Sequence, residues 1–368
     1  MRDLRGKKVL FVRLSSLGDL ILVLPTFHAI RERYPDAYIA WLVQDSLREV
    51  IEGTPGLNEV IPVKLISITD KYANWRRVLE GGVSLLKALS STRRLFQERA
   101  FDVVLDFQGL WKSGLFVFLN RRAERYGFRN SREFSHLFLT HPIFVRDSGR
   151  HAIQNYLEFA RYFGCKVDRI SFPLHVPPEA QRRVDALLRQ RGIGPKDPLA
   201  FICATARWQT KFWTQEGFAQ VADSLQDLGF RVVLSGLPQE RDYLEGIREK
   251  MRGEAVNVAG EVGIKDFFAL LKRSKLYVGV DSGAMHVASA LGVPVVALFG
   301  PSNPRWIGPY GERTEVVRVP LPCSPCNRRK CSDLRCMKEI TPGMVLEAID
   351  RVLRGSSRKA SGRGAGSS

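Results

Sequence analysis

Short segments that mix charged, hydroxyl and glycine residues follow apolar runs at several points of this sequence. The first reads RLSSLGD and contains Ser15, Ser16, Gly18 and Asp19. The backbone N–H groups of so compact a turn can bind an anion, and a carboxylate such as Asp19 can accept a proton from a sugar hydroxyl. An aspartate that simply caps the following helix is the alternative.

The second segment reads DFQGLWKS and again follows an apolar run. Gln108 and Lys112 offer polar groups to a cleft at the end of a strand, and Gly109 permits a tight exit from that strand. The alternative is that Lys112 and Ser113 are ordinary residues in the first turn of a helix.

The third segment, TARWQTKFW, runs from Thr205 and contains Lys211. A lysine in this position could neutralise a diphosphate leaving group as a point charge. A lysine that faces solvent beside buried aromatic residues is the alternative.

The fourth segment reads DSGAMH and follows the apolar run YVGV. Ser282, Gly283 and Ala284 would present N–H groups at a helix N-terminus, which suits a phosphate. Asp281 would repel phosphates, so we assign it to sugar hydroxyls. The alternative is an Asp281 that caps the helix and a buried His286 with its hydrogen bonds satisfied.

Four cysteines form a fifth pattern near the C-terminus, at Cys323, Cys326, Cys331 and Cys336. The first pair has C-x-x-C spacing, which is typical of structural zinc and of iron–sulfur clusters. The later spacings are looser than in most zinc ribbons, so reduced thiols or a redox-labile pair are alternatives. A metal bound there would be structural in any case.

The elements that must position these segments are short apolar strands alternating with amphipathic helices, a pattern that predicts an α/β fold with doubly wound parallel sheets. A proline-rich stretch, FPLHVPP, interrupts the pattern, which then restarts. Two such domains would place a ligand cleft at the carboxyl ends of their strands. We predict an N-terminal acceptor-binding domain (1–171), a linker (172–185), a C-terminal nucleotide-sugar-binding domain (186–341), a last helix (342–354) and a disordered basic tail (355–368).

Composition narrows the class of protein. The 368 residues carry 56 Lys+Arg against 38 Asp+Glu, a net charge of +18 that suits an anionic partner. No apolar run approaches the roughly 18 residues of a membrane-spanning helix, and the N-terminus lacks a signal-peptide cleavage site. The chain also lacks a dinucleotide fingerprint, a P-loop and recognised nucleic-acid motifs. An NAD enzyme and a nucleic-acid-binding protein are the rival classes.

Together, the motifs RLSSLGDLILVLP, DFQGLWKSG, TKFW and VGVDSGAMHVASALGVPVVALFGPS resemble glycosyltransferase family nine, the ADP-heptose:lipopolysaccharide heptosyltransferases. The resemblance covers nearly the whole chain. It implies a GT-B fold, an ADP-heptose donor, a Kdo-lipid A acceptor, an inverting mechanism and no required cofactor. DFQGLWKS is most similar to heptosyltransferase I, with heptosyltransferase II or a different nucleotide sugar as the alternative.

The resemblance also implies roles for individual residues. Asp19 would be the general base, Lys211 would hold the donor phosphates, Glu240 would bind the ribose hydroxyls and Asp281 the heptose hydroxyls. The stretch ahead of Lys211 departs from the family, since it lacks acidic residues and is one residue longer than in some heptosyltransferases I. We expect a cytoplasmic enzyme peripherally associated with the inner membrane through its arginines, and no nucleic-acid partner.

Overall fold

A computed structural model describes residues 3–66, 75–131, 133–145 and 149–355, with backbone alone for 75–78. The chain divides into two compact units, Met1–His175 and Val176–Ser368. The predicted tail lies outside the described residues from position 356 onward. The predicted linker is extended only as far as residue 177, because a helix begins at Pro178.

The amino-terminal unit is built on one parallel sheet of six strands. Its strands are β1 (Lys8–Val12), β2 (Tyr38–Gln44), β3 (Glu59–Val63), β4 (Val103–Asp106), β5 (Glu124–Phe128) and β6 (His141–Ile143). They lie in the order β3-β2-β1-β4-β5-β6. The central strand β1 is buried from Val9 to Val12, as expected of a parallel strand covered on both faces.

Helices connect these strands. They are α1 (Leu17–Arg33), α2 (Arg48–Ile51), α3 (Trp75–Arg99), α4 (Trp111–Leu119) and α5 (Ala152–Tyr162). Phe107, directly after β4, packs against Phe11 of β1 and Phe159 of α5, with ring centroids 5.0 and 4.4 Å apart. These aromatic contacts fix the exits of the two central strands against each other.

The carboxyl-terminal unit repeats the architecture with a second parallel sheet. Its strands are β7 (Leu199–Cys203), β8 (Arg231–Leu234), β9 (Ala255–Asn257), β10 (Leu276–Val280), β11 (Val295–Leu298) and β12 (Thr314–Val317). Their order is β12-β11-β10-β7-β8-β9. Both central strands, β7 and β10, are buried along their full length.

The helices of this unit are α6 (Pro178–Gln190), α7 (Gln215–Asp227), α8 (Arg241–Arg248), α9 (Ile264–Arg273), α10 (Gly283–Ala290), α11 (Pro304–Ile307), α12 (Arg335–Lys338) and α13 (Pro342–Leu353). Numbered within its own unit, each sheet has the strand order 3-2-1-4-5-6, that of a Rossmann fold. The predicted α/β class with two doubly wound units is therefore confirmed.

This strand order determines where a ligand site can form in each unit. The chain winds in opposite directions from the first and fourth strands, so the loops after these two strands diverge and leave a crevice at their carboxyl ends. Those strands are β1 and β4 in one unit, and β7 and β10 in the other. All four polar segments singled out in the sequence directly follow one of these four strands.

Candidate active site

Asp19 lies in the first turn of α1, just beyond the carboxyl end of β1. One carboxylate oxygen accepts hydrogen bonds from the backbone N–H and the hydroxyl of Ser16, at 3.1 and 2.8 Å. The other oxygen lies 2.7 Å from a guanidinium nitrogen of Arg13. Ser16 is therefore the N-cap of α1, while Asp19 completes the capping box from the third helical position and also belongs to an ion pair.

Arg13 is the residue of this unit that sequence reasoning missed. Its side chain is only 7% exposed, which is unusual for a guanidinium. Besides pairing with Asp19, it donates a hydrogen bond to the carbonyl oxygen of Phe107 and lies over the ring of Tyr156, 5.7 Å from the centroid. In the sequence, the signal for this role is its place directly after a buried strand.

The ion pair sets the charge of Asp19. Burial by itself would raise the pKa of Asp19, but the Arg13 guanidinium and the hydrogen bonds from Ser16 outweigh it and hold the pKa below its ordinary value. The carboxylate is therefore ionised at neutral pH, which is the state a general base needs.

Gln108 ties the loop after β4 to the loop after β1. Its side-chain oxygen accepts hydrogen bonds from the backbone N–H groups of Leu14 and Ser15, at 3.1 and 3.2 Å. Lys112 is the second residue of α4. Burial lowers the pKa of Lys112, and the nearby Glu133 opposes that shift.

Asp106, the last residue of β4, is buried beneath the same loop. Its carboxylate accepts hydrogen bonds from the N–H groups of Gln108 and Gly109, at 2.9 and 3.1 Å, and from the Ser113 hydroxyl at 3.2 Å. Gly109 turns the chain with a φ of +62°, a conformation that favours glycine. Burial raises the pKa of Asp106 to about 6, although these hydrogen bonds and Arg13 act against it.

In the carboxyl-terminal unit, Lys211 and Asp281 form an ion pair of 2.6 Å. Their side chains are 15% and 5% exposed, respectively. The Lys211 ammonium also lies over the ring of Trp208, 4.9 Å from the centroid. The alternative of a solvent-facing lysine is therefore wrong, because the Lys211 side chain is largely buried. The alternative of Asp281 as the helix cap is also wrong, because Ser282 is the N-cap of α10.

Ser282 joins the start of α10 to the exit of β7. Its hydroxyl lies 3.3 Å from the Tyr277 hydroxyl and 3.7 Å from the Cys203 sulfur. That sulfur lies 3.6 Å from the carbonyl oxygen of Thr205. The N-terminus of α10, the segment containing Lys211 and the end of β7 therefore meet at one place, and a helix N-terminus beside a lysine suits a phosphate.

Gly283 and Ala284 occupy the first turn of α10, and both are half-buried. His286 follows on the same helix and is buried. Glu240 ends a short 3₁₀ turn after β8 and accepts a hydrogen bond from the N–H of Leu237 at 2.7 Å. Burial raises the pKa of Cys203, and the negative charge of Glu240 adds to that rise.

The four C-terminal cysteines are brought to one small pocket of about 30 Å³, and all four are free thiols. In the described ranges, no three His, Cys, Asp or Glu side chains stand in a metal-binding arrangement. The loop that carries the cysteines contacts the segment before Lys211. The Thr210 hydroxyl donates to the carbonyl oxygen of Arg328 at 3.0 Å, and the Arg329 guanidinium lies 4.9 Å from the centroid of the Trp208 ring.

Comparison with known proteins shows to which family the chain belongs. Residues 89–336, well over half of the chain, match glycosyltransferase family 9 (heptosyltransferase). The chain belongs to glycosyltransferase family 9. This family 9 protein is therefore a glycosyltransferase, and its two Rossmann-like units are those of the GT-B fold.

Relatives of this family 9 glycosyltransferase include a lipopolysaccharide heptosyltransferase 1 from Pseudomonas aeruginosa. It is 27% identical over 340 residues, 88% of this chain and 87% of the relative. A family 9 glycosyl transferase from Veillonella parvula superposes with a TM-score of 0.82 at 23% identity, covering 96% of this chain and 99% of that one. The ADP-heptose lipopolysaccharide heptosyltransferase II of Escherichia coli has a TM-score of 0.74 at 24% identity, covering 95% and 100%.

Most of the predicted site residues of this family 9 glycosyltransferase gather at the two crevices. At the β1 and β4 exits lie Ser15, Ser16, Gly18, Asp19 and Gln108, and at the β7 and β10 exits lie Thr205, Lys211, Asp281, Ser282, Gly283 and Ala284. His286 is buried further along α10, and Lys112 lies in the first turn of α4. Residues 206–210, ahead of Lys211, contain no acidic side chain, and the Arg329 guanidinium lies over the ring of Trp208 in this segment.

Over the described ranges, no helix combines the length and apolar character needed to cross a membrane.

Proposed function

We propose that this glycosyltransferase transfers heptose from ADP-heptose to the Kdo-lipid A inner core during lipopolysaccharide synthesis. The observation that carries the proposal is the Lys211–Asp281 ion pair at the crevice where β7 and β10 diverge. It supplies a cation for a diphosphate and a carboxylate for sugar hydroxyls within one site. The relatives named as lipopolysaccharide heptosyltransferases support this choice of sugar and pathway.

The donor is bound by the carboxyl-terminal unit in this proposal. Lys211 and the N–H groups at the start of α10 contact the diphosphate, Asp281 accepts hydrogen bonds from heptose hydroxyls and Glu240 from ribose hydroxyls. As the bond from the anomeric carbon to the phosphate oxygen breaks, negative charge grows on ADP. A lysine and a helix N-terminus that are already in place stabilise that charge without reorganisation, so we propose that the reaction needs no metal ion.

Asp19 is the general base in this proposal. Its pKa is below the ordinary value, so it is a weak base towards a resting hydroxyl. That hydroxyl becomes strongly acidic only once its oxygen has begun to bond to the anomeric carbon. A carboxylate that is ionised at neutral pH can then accept the proton late in the step. Attack from the side opposite the departing ADP inverts the anomeric centre.

We propose the first heptose transfer, because DFQGLWKS resembles heptosyltransferase I. The test is to incubate the full chain with EDTA, ADP-heptose and either Kdo-lipid A or its one-heptose extension, and to identify the product by mass. One added heptose on Kdo-lipid A supports the proposal. A product formed only from the one-heptose acceptor would reassign the chain to the second transfer, and transfer only from another nucleotide sugar would overturn the donor.

We further propose that the enzyme works at the cytoplasmic face of the inner membrane, through a patch on the amino-terminal unit. This aromatic patch consists of Trp111, Phe118, Phe134 and Leu137, which are 48%, 40%, 70% and 69% exposed. Trp111 and Phe118 pack on the ring of Phe138, which belongs to the same short segment as Phe134 and Leu137.

Arginines border the aromatic patch. Arg121 lies 4.9 Å from the centroid of the Phe118 ring, and Arg122 is exposed beside it. Exposed aromatic residues next to arginines suit the headgroup region of an anionic leaflet. Arg125 has a different role, since its guanidinium donates to the carbonyl oxygens of Phe138 and Asn120 at 2.8 and 3.1 Å. Arg125 therefore links the segment that contains Phe138 to the end of α4, and this link stabilises the aromatic patch.

A further inference from the structure

The loop between β12 and α12 and the first turn of α12 together contain four cysteines that the proposed transfer reaction does not use. Cys323, Cys326, Cys331 and Cys336 all line the same pocket of about 30 Å³. They are spread over fourteen positions of an otherwise irregular loop, and all are free thiols. Four converging soft ligands are the set that tetrahedral zinc and iron sites use.

The polypeptide around the cysteines is fixed on the side of the protein core. Cys336 is buried, and its sulfur lies against Gly300. The backbone N–H of Cys326 donates to the carbonyl oxygen of Pro301 at 2.9 Å, and the Ser324 hydroxyl donates to that of Gly300 at 2.6 Å. Two of the sulfurs therefore have well-supported backbones, as ligands of a structural metal require.

The other two sulfurs belong to exposed side chains, Cys323 and Cys331. Backbone N–H groups of Asp333 and Leu334 face the Cys331 sulfur. The sulfurs do not stand at coordination distance in the described arrangement. Both side chains are exposed, so core packing does not fix their rotamers.

The charge and the volume of the pocket indicate which metal species it can hold. Four thiolates around a divalent ion leave a net charge of −2, and Arg328 and Arg335 line the same pocket. A cavity becomes large enough for one water molecule at about 10–15 Å³, so a pocket of about 30 Å³ has room for a single ion. We propose that the four cysteines bind one structural metal ion, zinc or ferrous iron, with each thiol losing its proton.

Such an ion would also stabilise the segment before Lys211. The cysteine loop contacts that segment through the Thr210–Arg328 hydrogen bond and through Arg329, which stacks on Trp208. Cross-linking four points of a loop removes much of its freedom. Metal removal should therefore increase motion both in the loop and in the residues before Lys211, whatever sugar the enzyme transfers.

The test begins with the full chain, isolated under reducing conditions without metal-affinity steps and analysed for metals by mass spectrometry. We expect about one equivalent of zinc or iron per chain, and less than about a tenth of that in Cys323→Ser and Cys336→Ser. Cys323 is exposed, so its variant should fold even if the buried Cys336→Ser variant does not. Cys165→Ala removes a buried cysteine of the other unit and should keep the metal.

Two further measurements complete the test. Reconstitution with Co²⁺ should give the intense visible bands of a tetrahedral thiolate site in the wild type and in Cys165→Ala. Chelation should speed hydrogen exchange over residues 206–213 and 323–336 in the same two proteins. Failure of the reduced wild type to bind Zn²⁺, Fe²⁺ or Co²⁺, or an intact mass showing two disulfides after anaerobic isolation, would overturn the proposal.

Discussion

The buried guanidinium of Arg13 lies 2.7 Å from the carboxylate of Asp19, and this contact joins the end of β1 to the start of α1. It gives the proposed base a fixed position and a fixed charge. The same guanidinium donates to the carbonyl oxygen of Phe107 after β4, so the loops of both central strands depend on it. A single arginine therefore connects the geometry of this crevice to its electrostatics.

Asp19→Asn tests the proposed base. The amide oxygen can still accept the hydrogen bonds of Ser16, but the side chain can no longer take a proton. We expect kcat to fall by about a hundredfold or more with the Kd for ADP unchanged, measured by product formation and by calorimetry. Asp36→Asn, at an exposed position just beyond α1, is the control. Near-normal turnover in Asp19→Asn would remove Asp19 from the mechanism.

Arg13→Met tests the control of the Asp19 charge. The Arg13 guanidinium is the group that most lowers the pKa of Asp19 against the effect of burial. Without it, the pKa of Asp19 should rise. The acidic limb of the kcat/KM profile against pH should then move upward by about one unit or more. Arg13→Lys should restore most of the wild-type profile, and Arg33→Met, an exposed change on α1, should leave it unmoved. An unshifted limb in Arg13→Met would show that a different group titrates there.

The stability conferred by the same pair also depends on pH. Because the folded pKa of Asp19 is below its unfolded value, the pair contributes fully above the unfolded value and is lost as the pH falls through the folded one. Arg13→Met should therefore lower the free energy of unfolding at neutral pH more than in strong acid, measured by urea unfolding.

Asp106→Asn should stabilise the protein. The pKa of Asp106 is raised from 3.8 to about 6, so the folded state favours the protonated carboxyl. Stability is therefore lost as the pH rises from 3.8 to 6, by about 3 kcal/mol if the shift is complete. An amide keeps the hydrogen bonds to Gln108 and Gly109 without this loss. Urea unfolding between pH 4 and 8 should show a smaller decline in Asp106→Asn than in wild type or the exposed control Asp168→Asn; an equal decline would contradict the assignment.

Lys211→Met should weaken donor binding. A charge-assisted hydrogen bond to phosphate contributes about 1.5–3 kcal/mol, so the Kd for ADP should rise roughly tenfold to a hundredfold. Lys272→Met on the exposed face of α9 is the control. Because Asp281 loses its partner, unfolding should also become easier, and Lys211→Met/Asp281→Asn should recover stability without recovering affinity. Recovery of both together would mean that the lysine acts only on folding.

Phe134→Ser/Leu137→Ser should reduce membrane association. Each of these exposed side chains contributes about 1.5–3 kcal/mol when fully buried, so even partial insertion predicts a drop of about tenfold in partitioning to anionic vesicles. Leu228→Ser, at an equally exposed leucine of the other unit, should have no effect. Arg121→Gln should weaken binding to anionic but not to neutral vesicles. If Phe134→Ser/Leu137→Ser and the wild type partitioned equally, the aromatic patch would not be the membrane contact. If the wild type were a dimer in solution and the variant were not, the patch would instead be a protein interface.

Several elements were predictable from sequence almost to the residue. The apolar runs that lead into DFQGLWKS and DSGAMH are the strands Val103–Asp106 and Leu276–Val280. Strands β5 and β6 were not predicted. They are short and mix charged, glycine and proline residues with apolar ones, which weakens the apolar pattern by which a strand is recognised in sequence.

The sequence by itself determined the two-unit α/β plan and the segments that contain the chemistry, since apolar runs, glycines and short motifs are local signals. Only the tertiary structure decided which of those segments meet. Lys211 and Asp281 are 70 positions apart, and Arg13 and Phe107 are 94 positions apart. Each pair forms because two strands distant in the chain are neighbours at the centre of a sheet. No local pattern encodes that adjacency, which follows from how whole strands and helices bury their apolar faces together.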